Sequence, residues 1–162
     1  DPTRSEDWFG LAILYHTSND YEGAREIWEF LVEVSPIDTV AYDNLGKLYH
    51  FSLRDFPKAE EYFKRSISIN PNLLTPYREL FELYRYSYKT ETSAALDILG
   101  QAIAKFPRDA GLYILRGEYY RDRGDIVKAR EAYNKALDLA RETNDVATID
   151  AVGEELLRLP QE

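Results

Sequence analysis

The sequence predicts an all-α fold: an α-solenoid of four helical hairpins, with one further helix that caps the carboxyl end. Two observations carry this prediction. Side chains of three classes recur in phase every 34 to 36 residues, and apolar residues within each unit recur at three- and four-residue steps. The first class is proline, at Pro36, Pro71 and Pro107. The second is alanine, found once per unit at Ala24, Ala59, Ala95 and Ala129.

The third class is aromatic and marks the first helix of every unit. One aromatic residue opens each unit, at Trp8, Tyr42, Tyr77 and Tyr113. A tyrosine follows seven residues later in each, at Tyr15, Tyr49, Tyr84 and Tyr120. Because three classes of residue keep the same period over four units, we predict four copies of one structural unit.

Each unit divides into two antiparallel helices. On the second helix of the second unit, the apolar face consists of Phe56, Ala59, Phe63 and Ile67. Lysine and glutamate occupy the opposite face, as a half-buried helix requires. Turn-forming residues such as Asn70–Pro71–Asn72 separate the helices. The predicted helices lie near residues 6–17, 21–34, 39–51, 56–69, 73–86, 91–105, 109–122 and 126–141.

A ninth helix is predicted over residues 145–159, where Asn144 or Asp145 can cap the amino end. Its apolar stripe consists of Ile149, Val152, Leu156 and Leu159. The last unit of a stack leaves an apolar face open, and a terminal helix with a polar outer side covers it. We therefore predict a capping helix; the alternative is a helix that docks into a partner. Residues 1–162 then form one domain, with units at about 5–38, 39–73, 74–109 and 110–143.

The order of residues within a unit points to a known family. The first unit has an aromatic, a leucine, a small residue and a tyrosine, then an alanine, an aromatic and a proline: Trp8, Leu11, Ala12, Tyr15, Ala24, Trp28 and Pro36. The fourth unit keeps this order from Tyr113 to Ala136. The pattern resembles the tetratricopeptide repeat family over roughly residues 6–141. The third unit departs from it at Phe81, where the family has a small residue, and in a longer hairpin turn.

The resemblance implies a right-handed superhelix whose first helices line a concave groove. In the family, this groove receives an extended peptide or a helix of another protein. The groove positions of the family fall here on Phe9, Ile13, His16, Asp43, Lys47, His50, Arg78, Glu82, Arg85, Tyr86, Ile114, Glu118 and Arg121.

The expected groove is apolar at its amino-terminal end and charged further along. Its basic residues are Lys47, Arg78, Arg85 and Arg121, which stand out in a chain of net charge −9. A guanidinium group binds a carboxylate through two parallel hydrogen bonds, and Tyr86 can stack on an aromatic side chain. We therefore predict a partner segment with an apolar anchor and acidic residues. The alternative is that these charges pair with one another and only solvate the surface.

Composition argues against several kinds of chemistry. The sequence has no cysteine, which rules out disulfides, thiolate nucleophiles and cysteine-based zinc sites. Its glycines are scattered singly, so it has no glycine-rich phosphate loop, and its negative charge disfavours nucleic acid as a partner. His16 and His50 occupy the same place in successive units, about 10 Å apart, which is too far for a shared zinc ion. We therefore expect no enzymatic activity, no cofactor and no metal site.

Two classes of binding function remain open. The chain is either an adaptor whose groove receives a partner, or a structural module that self-associates or packs within a larger complex, as the outward aromatic residue Phe30 favours. No apolar run approaches the roughly 20 residues that span a bilayer, so we expect no membrane insertion within this sequence. The chain begins at Asp1 without methionine, which we interpret as a fragment or a processed form. A cytoplasmic location and a membrane-tethered periplasmic location are both compatible with it.

Overall fold

The computed structural model describes residues 5–90 and 92–160, and α-helices make up most of both stretches. The helices are α1 (Ser5–Thr17), α2 (Tyr21–Val34), α3 (Thr39–Lys47), α4 (Phe56–Ile69), α5 (Thr75–Glu82), α6 (Ala94–Lys105), α7 (Ala110–Asp122), α8 (Ile126–Thr143) and α9 (Val146–Arg158). The described residues contain no β-strand. The prediction of an all-α repeat fold with an additional carboxyl-terminal helix is confirmed.

Aspartate residues start most of the helices. Six helices begin directly after an aspartate whose carboxylate accepts a hydrogen bond from a backbone N–H of the first turn: Asp20, Asp38, Asp55, Asp109, Asp125 and Asp145. Four of them follow a residue in the left-handed region, with φ between 54° and 77°: Asn19, Arg54, Gly124 and Asn144. The left-handed residue ends one helix and the aspartate caps the next, which keeps the turns short.

The helix boundaries differ from the predicted ones mainly in the third repeat. The helix predicted from residue 91 begins at Ala94, because Thr92 and Ser93 belong to the preceding turn; residue 91 itself lies outside the described residues. The first helices of the second and third repeats end earlier than predicted, and each continues into a π-helical turn, Leu48–Ser52 after α3 and Leu83–Ser87 after α5.

The chain forms two compact units, Asp1–Ala95 and Leu96–Glu162, and the division falls inside α6. In the first unit, α1 packs on α2 and α3 on α4, while α2 and α4 also pack against the first helix of the following repeat. The second hairpin depends on Gly46, because a Cβ atom there would lie 2.5 Å from the buried ring of Phe63. The prediction of a single domain stays a prediction.

In the second unit, α7 packs on α8, and α8 packs on α9. The core of this unit consists of Tyr113, Ala129, Tyr133, Ala136, Leu139, Val152 and Leu159. Gly117 permits the same close approach as in the second hairpin, since a Cβ atom there would lie 2.6 Å from the Tyr133 ring. The last helix covers α8 through Val152 and the adjacent Leu159, as predicted for a capping helix.

Candidate functional site

The two π-helical turns occur in the two repeats with longer hairpin turns. The spacing between the tyrosine of the first helix and the alanine of the second helix shows this difference. It is nine residues in the first repeat, ten in the second (Tyr49 to Ala59) and eleven in the third. In the second repeat the extra residue is absorbed within the helix end, where the Leu53 N–H donates to the Leu48 carbonyl five residues back, at 2.9 Å. Such turns are rare and occur often at functional sites.

Each π-helical turn presents one aromatic ring to solvent. Phe51 and Tyr86 occupy the same place in neighbouring repeats and are 59% and 61% exposed. The ring before Phe51, that of His50, stacks on it with centroids 4.0 Å apart. The guanidinium carbon of Arg85 lies 4.6 Å from the centroid of the Tyr86 ring. Both exposed rings are therefore held in place by the preceding side chain.

A cavity of about 130 Å³, open to solvent on one side, lies between the first two hairpins of the first unit. Its lining consists of Ile13, His16, Trp28, Asn44, Lys47 and Leu48. Trp28 and Leu48 are buried and form an apolar floor, and the Trp28 ring is fixed edge-on against Phe9 with centroids 4.9 Å apart. Apolar cavities of about 150 Å³ hold a molecule the size of benzene, so this cavity matches one aliphatic side chain.

Lys47, at the edge of this cavity, belongs to a group of charged side chains on α3 and α5. The Lys47 ammonium pairs with Glu79 of α5 at 3.2 Å. Asp43, one turn before Lys47, is half-buried, and burial raises the pKa of its carboxyl group although the positive charge of Lys47 partly offsets that effect. Within the described residues, Asp43 Oδ1 is enclosed and receives no hydrogen bond. The Lys47–Glu79 pair shows that at least one basic residue of the predicted groove is neutralised by a neighbouring helix.

The two histidines join successive repeats. His16 Nε2 lies 3.3 Å from Ser52 Oγ, and His50 Nε2 lies 2.9 Å from Ser87 Oγ. Both serines belong to π-helical turns, so each turn bonds to the repeat before it. Burial, together with the charge of Arg54, lowers the pKa of His50, which favours its neutral form. The polar position identified from the sequence is therefore also a stacking contact between repeats.

The predicted groove residues of the first unit differ widely in exposure. Ile13, His16, Arg78 and Tyr86 are exposed, and Phe9, Asp43, Lys47 and Glu82 are half-buried. His50 and Arg85 are only 3% and 6% exposed. The expectation that these two side chains face a partner needs correction: His50 bonds to Ser87, and Arg85 lies against the rings of Phe81 and Tyr86.

The predicted groove residues of the second unit are Ile114, Glu118 and Arg121, all half-buried on α7. The Arg121 guanidinium binds the Glu155 carboxylate of α9 and Asp122 of its own helix. Like the two histidines, Arg121 thus bonds past the second helix of its own repeat to the element that follows that repeat. Its charge is satisfied inside the unit, which supports the alternative that groove charges pair with one another.

Sequence reasoning missed four residues of the site. Trp28 was interpreted as a repeat aromatic and Leu48 was not singled out, yet both border the cavity. Asn44 lies at its edge, half-buried, with its amide nitrogen donating to the Val40 carbonyl at 3.0 Å. Phe51 could have been found, because it stands at the same distance from the repeat tyrosine as Tyr86, which was predicted.

A larger hollow of about 400 Å³ lies elsewhere on the second hairpin. Its lining consists of Tyr42, Glu61, Tyr62, Lys64, Arg65 and Ser68, of which only Tyr42 is buried. The Tyr62 ring stacks on Tyr49, and the Lys64 ammonium is bound to Glu60 at 2.6 Å. This hollow lacks the buried apolar floor of the cavity beside Trp28 and is the weaker candidate.

The helices within residues 5–90 and 92–160 are all too short or too polar to cross a bilayer. No three acidic, histidine or cysteine side chains of these residues lie close enough together to hold a metal ion.

Several known proteins resemble this chain in sequence or in structure. Human protein O-mannosyl-transferase TMTC3 is 29% identical over 153 residues, which are 86% of this chain and 16% of that protein. Rat mitochondrial import receptor subunit TOM70 is 31% identical over 112 residues, or 66% of this chain and 18% of that protein. The chain thus spans less than a fifth of the length of either relative. A crystal structure of MamA superposes with a TM-score of 0.66 at 22% identity, covering 94% of this chain and 83% of that one.

Two sequence models assign the chain to a protein family. A tetratricopeptide repeat model matches residues 40–73, and a second tetratricopeptide repeat model matches residues 84–143. Together they cover more than half of the chain, and the helical pairs, the Gly46–Phe63 approach and the aspartate-capped turns agree with them. The chain therefore belongs to the tetratricopeptide repeat family of protein-binding helical repeats.

Proposed function

We propose that the first unit of this chain binds a segment of another protein by seating one aliphatic side chain in the cavity between its first two hairpins. The observation that carries the proposal is the cavity itself, with the buried floor of Trp28 and Leu48 and the polar rim of His16, Asn44 and Lys47. Burying one leucine-sized side chain contributes about 1.5–3 kcal/mol. Such an anchor, ringed by polar groups, is the usual form of a small recognition pocket.

Acidic residues of the partner would lie beside this anchor. The Lys47 side chain is 41% exposed although it already pairs with Glu79, so a partner carboxylate would join an existing ion pair. An exposed pair of this kind contributes about 1 kcal/mol or less. The apolar anchor therefore supplies the affinity, and the acidic residues adjust selectivity.

The proposed mode is binding without catalysis. The polar groups around the cavity are engaged in structural contacts: His16 with Ser52, Asn44 with Val40 and Lys47 with Glu79. The transferase named among the relatives is a protein of which this chain spans 16%, so its activity is not carried over to this chain. A hydrolase and transferase screen of the purified chain should give no turnover above a buffer control.

A random peptide library displayed on phage tests the binding mode. We expect selection on the immobilised chain to enrich peptides with one leucine, isoleucine or methionine flanked by aspartate or glutamate. Asn44→Phe, which fills the cavity from its edge, should abolish their binding, and Lys47→Glu should weaken the preference for acidic flanks. Glu33→Phe, the same ring on an exposed position of α2, is the matched control. Enriched peptides that bind Asn44→Phe as well as the wild type would refute the proposal.

A further inference from the structure

One face of α1 lacks the cover that the equivalent faces of later repeats have. Leu14 occupies the place that Leu48 and Leu83 occupy in the next two repeats, directly before the repeat tyrosine. There, the second helix of the preceding repeat packs over the position: α2 against α3 and its π-helical turn, and α4 against α5 and its turn. Leu48 and Leu83 are accordingly 1% and 0% exposed, whereas Leu14 is 62% exposed.

The repeat tyrosines show the same difference in polar contacts. The hydroxyl of Tyr49 donates to Glu29 of α2 at 2.8 Å, and that of Tyr84 donates to Glu60 of α4 at 2.6 Å. Within residues 5–90 and 92–160, the Tyr15 hydroxyl has no hydrogen-bond acceptor. The α1 helix therefore carries the same stacking surface as α3 and α5. A helix that packs on this surface would have to supply an apolar side chain against Leu14 and a carboxylate that accepts a hydrogen bond from Tyr15.

The outer face of α9 has this chemistry. Val146 and Leu157 are 64% and 84% exposed. They are eleven residues apart, which is close to three full helical turns, so they lie on one side of the helix. The carboxylates of Asp150 and Glu154 stand beside them on the exposed face. The opposite face of α9 is already used, because Val152 is buried in the core of the second unit.

We infer that the open face of α1 (Gly10, Leu14, Tyr15 and Thr17) binds the outer face of α9 of a second copy of this chain, head to tail. The contact would cover Leu14 and Leu157 at once and give the Tyr15 hydroxyl a carboxylate acceptor. Gly10 lies in open space on this face, since a Cβ atom there would meet nothing within 4 Å. Because the two faces are different, each added copy leaves one face of each kind available, and the assembly can extend beyond a dimer, as an open chain or a closed ring. This self-association is independent of partner binding in the cavity.

Sedimentation velocity over a range of concentrations tests the inference. The wild type should form species that grow with concentration beyond the dimer. Leu14→Asp and Leu157→Asp should each weaken self-association by about tenfold or more, because each would bury a charge in place of a leucine. The matched controls are Ile37→Asp and Val127→Asp, which place the same charge on exposed aliphatic positions outside both faces. Circular dichroism verifies that all four variants keep their helical content.

Mixing the two variants distinguishes this arrangement from a symmetric one. Leu14→Asp keeps an intact α9 face and Leu157→Asp keeps an intact α1 face, so an equimolar mixture should form one-to-one dimers and stop there. Since the chain has no cysteine, Leu14→Cys mixed with Leu157→Cys should also form a disulfide-linked dimer on oxidation, and Ile37→Cys in place of Leu14→Cys should not. A monomeric wild type, a monomeric mixture, or loss of association in Leu14→Asp alone would each overturn the inference.

Discussion

The first helices of the first two repeats, α1 and α3, carry the same motif but use it differently. Leu14 is exposed and Leu48 is buried, although both precede the repeat tyrosine. His16 is exposed and His50 is buried, although both bond to a serine of the following repeat. The difference arises because α2 covers α3, whereas no described helix covers the corresponding face of α1. A repeat residue thus takes its role from the neighbouring repeat as much as from its own identity.

The leucine pair gives the largest expected effect. Leu48→Ala should lower the free energy of unfolding by about 2–5 kcal/mol, since it removes a fully buried side chain and enlarges the adjacent cavity. Leu14→Ala should change it by less than about 0.5 kcal/mol, because the side chain is already largely in water. Urea unfolding followed by circular dichroism measures both. Equal losses for the two variants would contradict the comparison.

Acid should protonate the Glu60 carboxylate, which joins α4 to the third repeat, and so lower the stability of the fold. Burial alone would raise the pKa of Glu60, but hydrogen bonds from Lys64, Lys89 and Tyr84 lower it from 4.5 to about 2. Because the folded pKa lies below the unfolded one, the stability that ionised Glu60 contributes is complete above about pH 4.5 and is lost as the pH falls towards about 2. This contribution is at most about 3 kcal/mol.

Thermal unfolding at several pH values between 2 and 6 tests this linkage. Glu60→Gln should be less stable than the wild type at neutral pH and should show a smaller fall in stability across the acid window. Glu61→Gln, one residue further along α4 and exposed, is the matched control. A Glu60→Gln variant with the same acid slope as the wild type would show that the lowered pKa has no part in stability.

Gly46 on α3 and Gly10 on α1 differ in how closely another side chain packs against them. Gly46→Ala should destabilise the first unit by about 1–3 kcal/mol, because its Cβ atom would lie 2.5 Å from the Phe63 ring. Gly10→Ala on α1 should be neutral or stabilising by up to about 1 kcal/mol, because its Cβ atom would meet nothing within 4 Å and alanine favours a helix. The midpoint of urea unfolding should therefore fall for Gly46→Ala and stay level or rise for Gly10→Ala, and a fall in both variants would be the contrary result.

The tyrosine pair gives the smallest expected effect. Tyr49→Phe should cost about 1–2 kcal/mol, since it removes a hydrogen bond of 2.8 Å to the Glu29 carboxylate. Tyr15→Phe should leave the unfolding free energy of the monomer unchanged within error. If Tyr15→Phe were as costly as Tyr49→Phe at a concentration where the chain is monomeric, the Tyr15 hydroxyl would have to have an acceptor within its own chain.

Periodicity was sufficient to predict the fold. The in-phase prolines, alanines and aromatics placed the hairpins, and the stripe around Val152 identified α9 as the helix that covers the last repeat. The π-helical turns were not predictable from periodicity, although the extra residues before Ala59 and Ala95 were visible. An inserted residue can lengthen a loop or widen a helical turn, and only the backbone bond from Leu53 to Leu48 decides between them.

The candidate site was predictable only in part. Equivalent positions on the first helices led to Ile13, His16 and Lys47, which do line the cavity. The same rule led to His50 and Arg85, which are buried because the turn at the end of each helix folds their side chains against Ser87 and against two aromatic rings. The floor residues Trp28 and Leu48 were not predicted as part of the site, since a sequence alone does not show where a core remains open to solvent.

The most direct test of the central claim is the location of a bound peptide's apolar side chain. Isotope-filtered nuclear Overhauser spectroscopy on the chain with a selected peptide measures it. We expect contacts from the methyl groups of the peptide to the Trp28 indole and to the methyl groups of Ile13 and Leu48, and we expect these contacts to be lost in Asn44→Phe. Contacts confined to other surfaces, with none to these three side chains, would contradict the central claim.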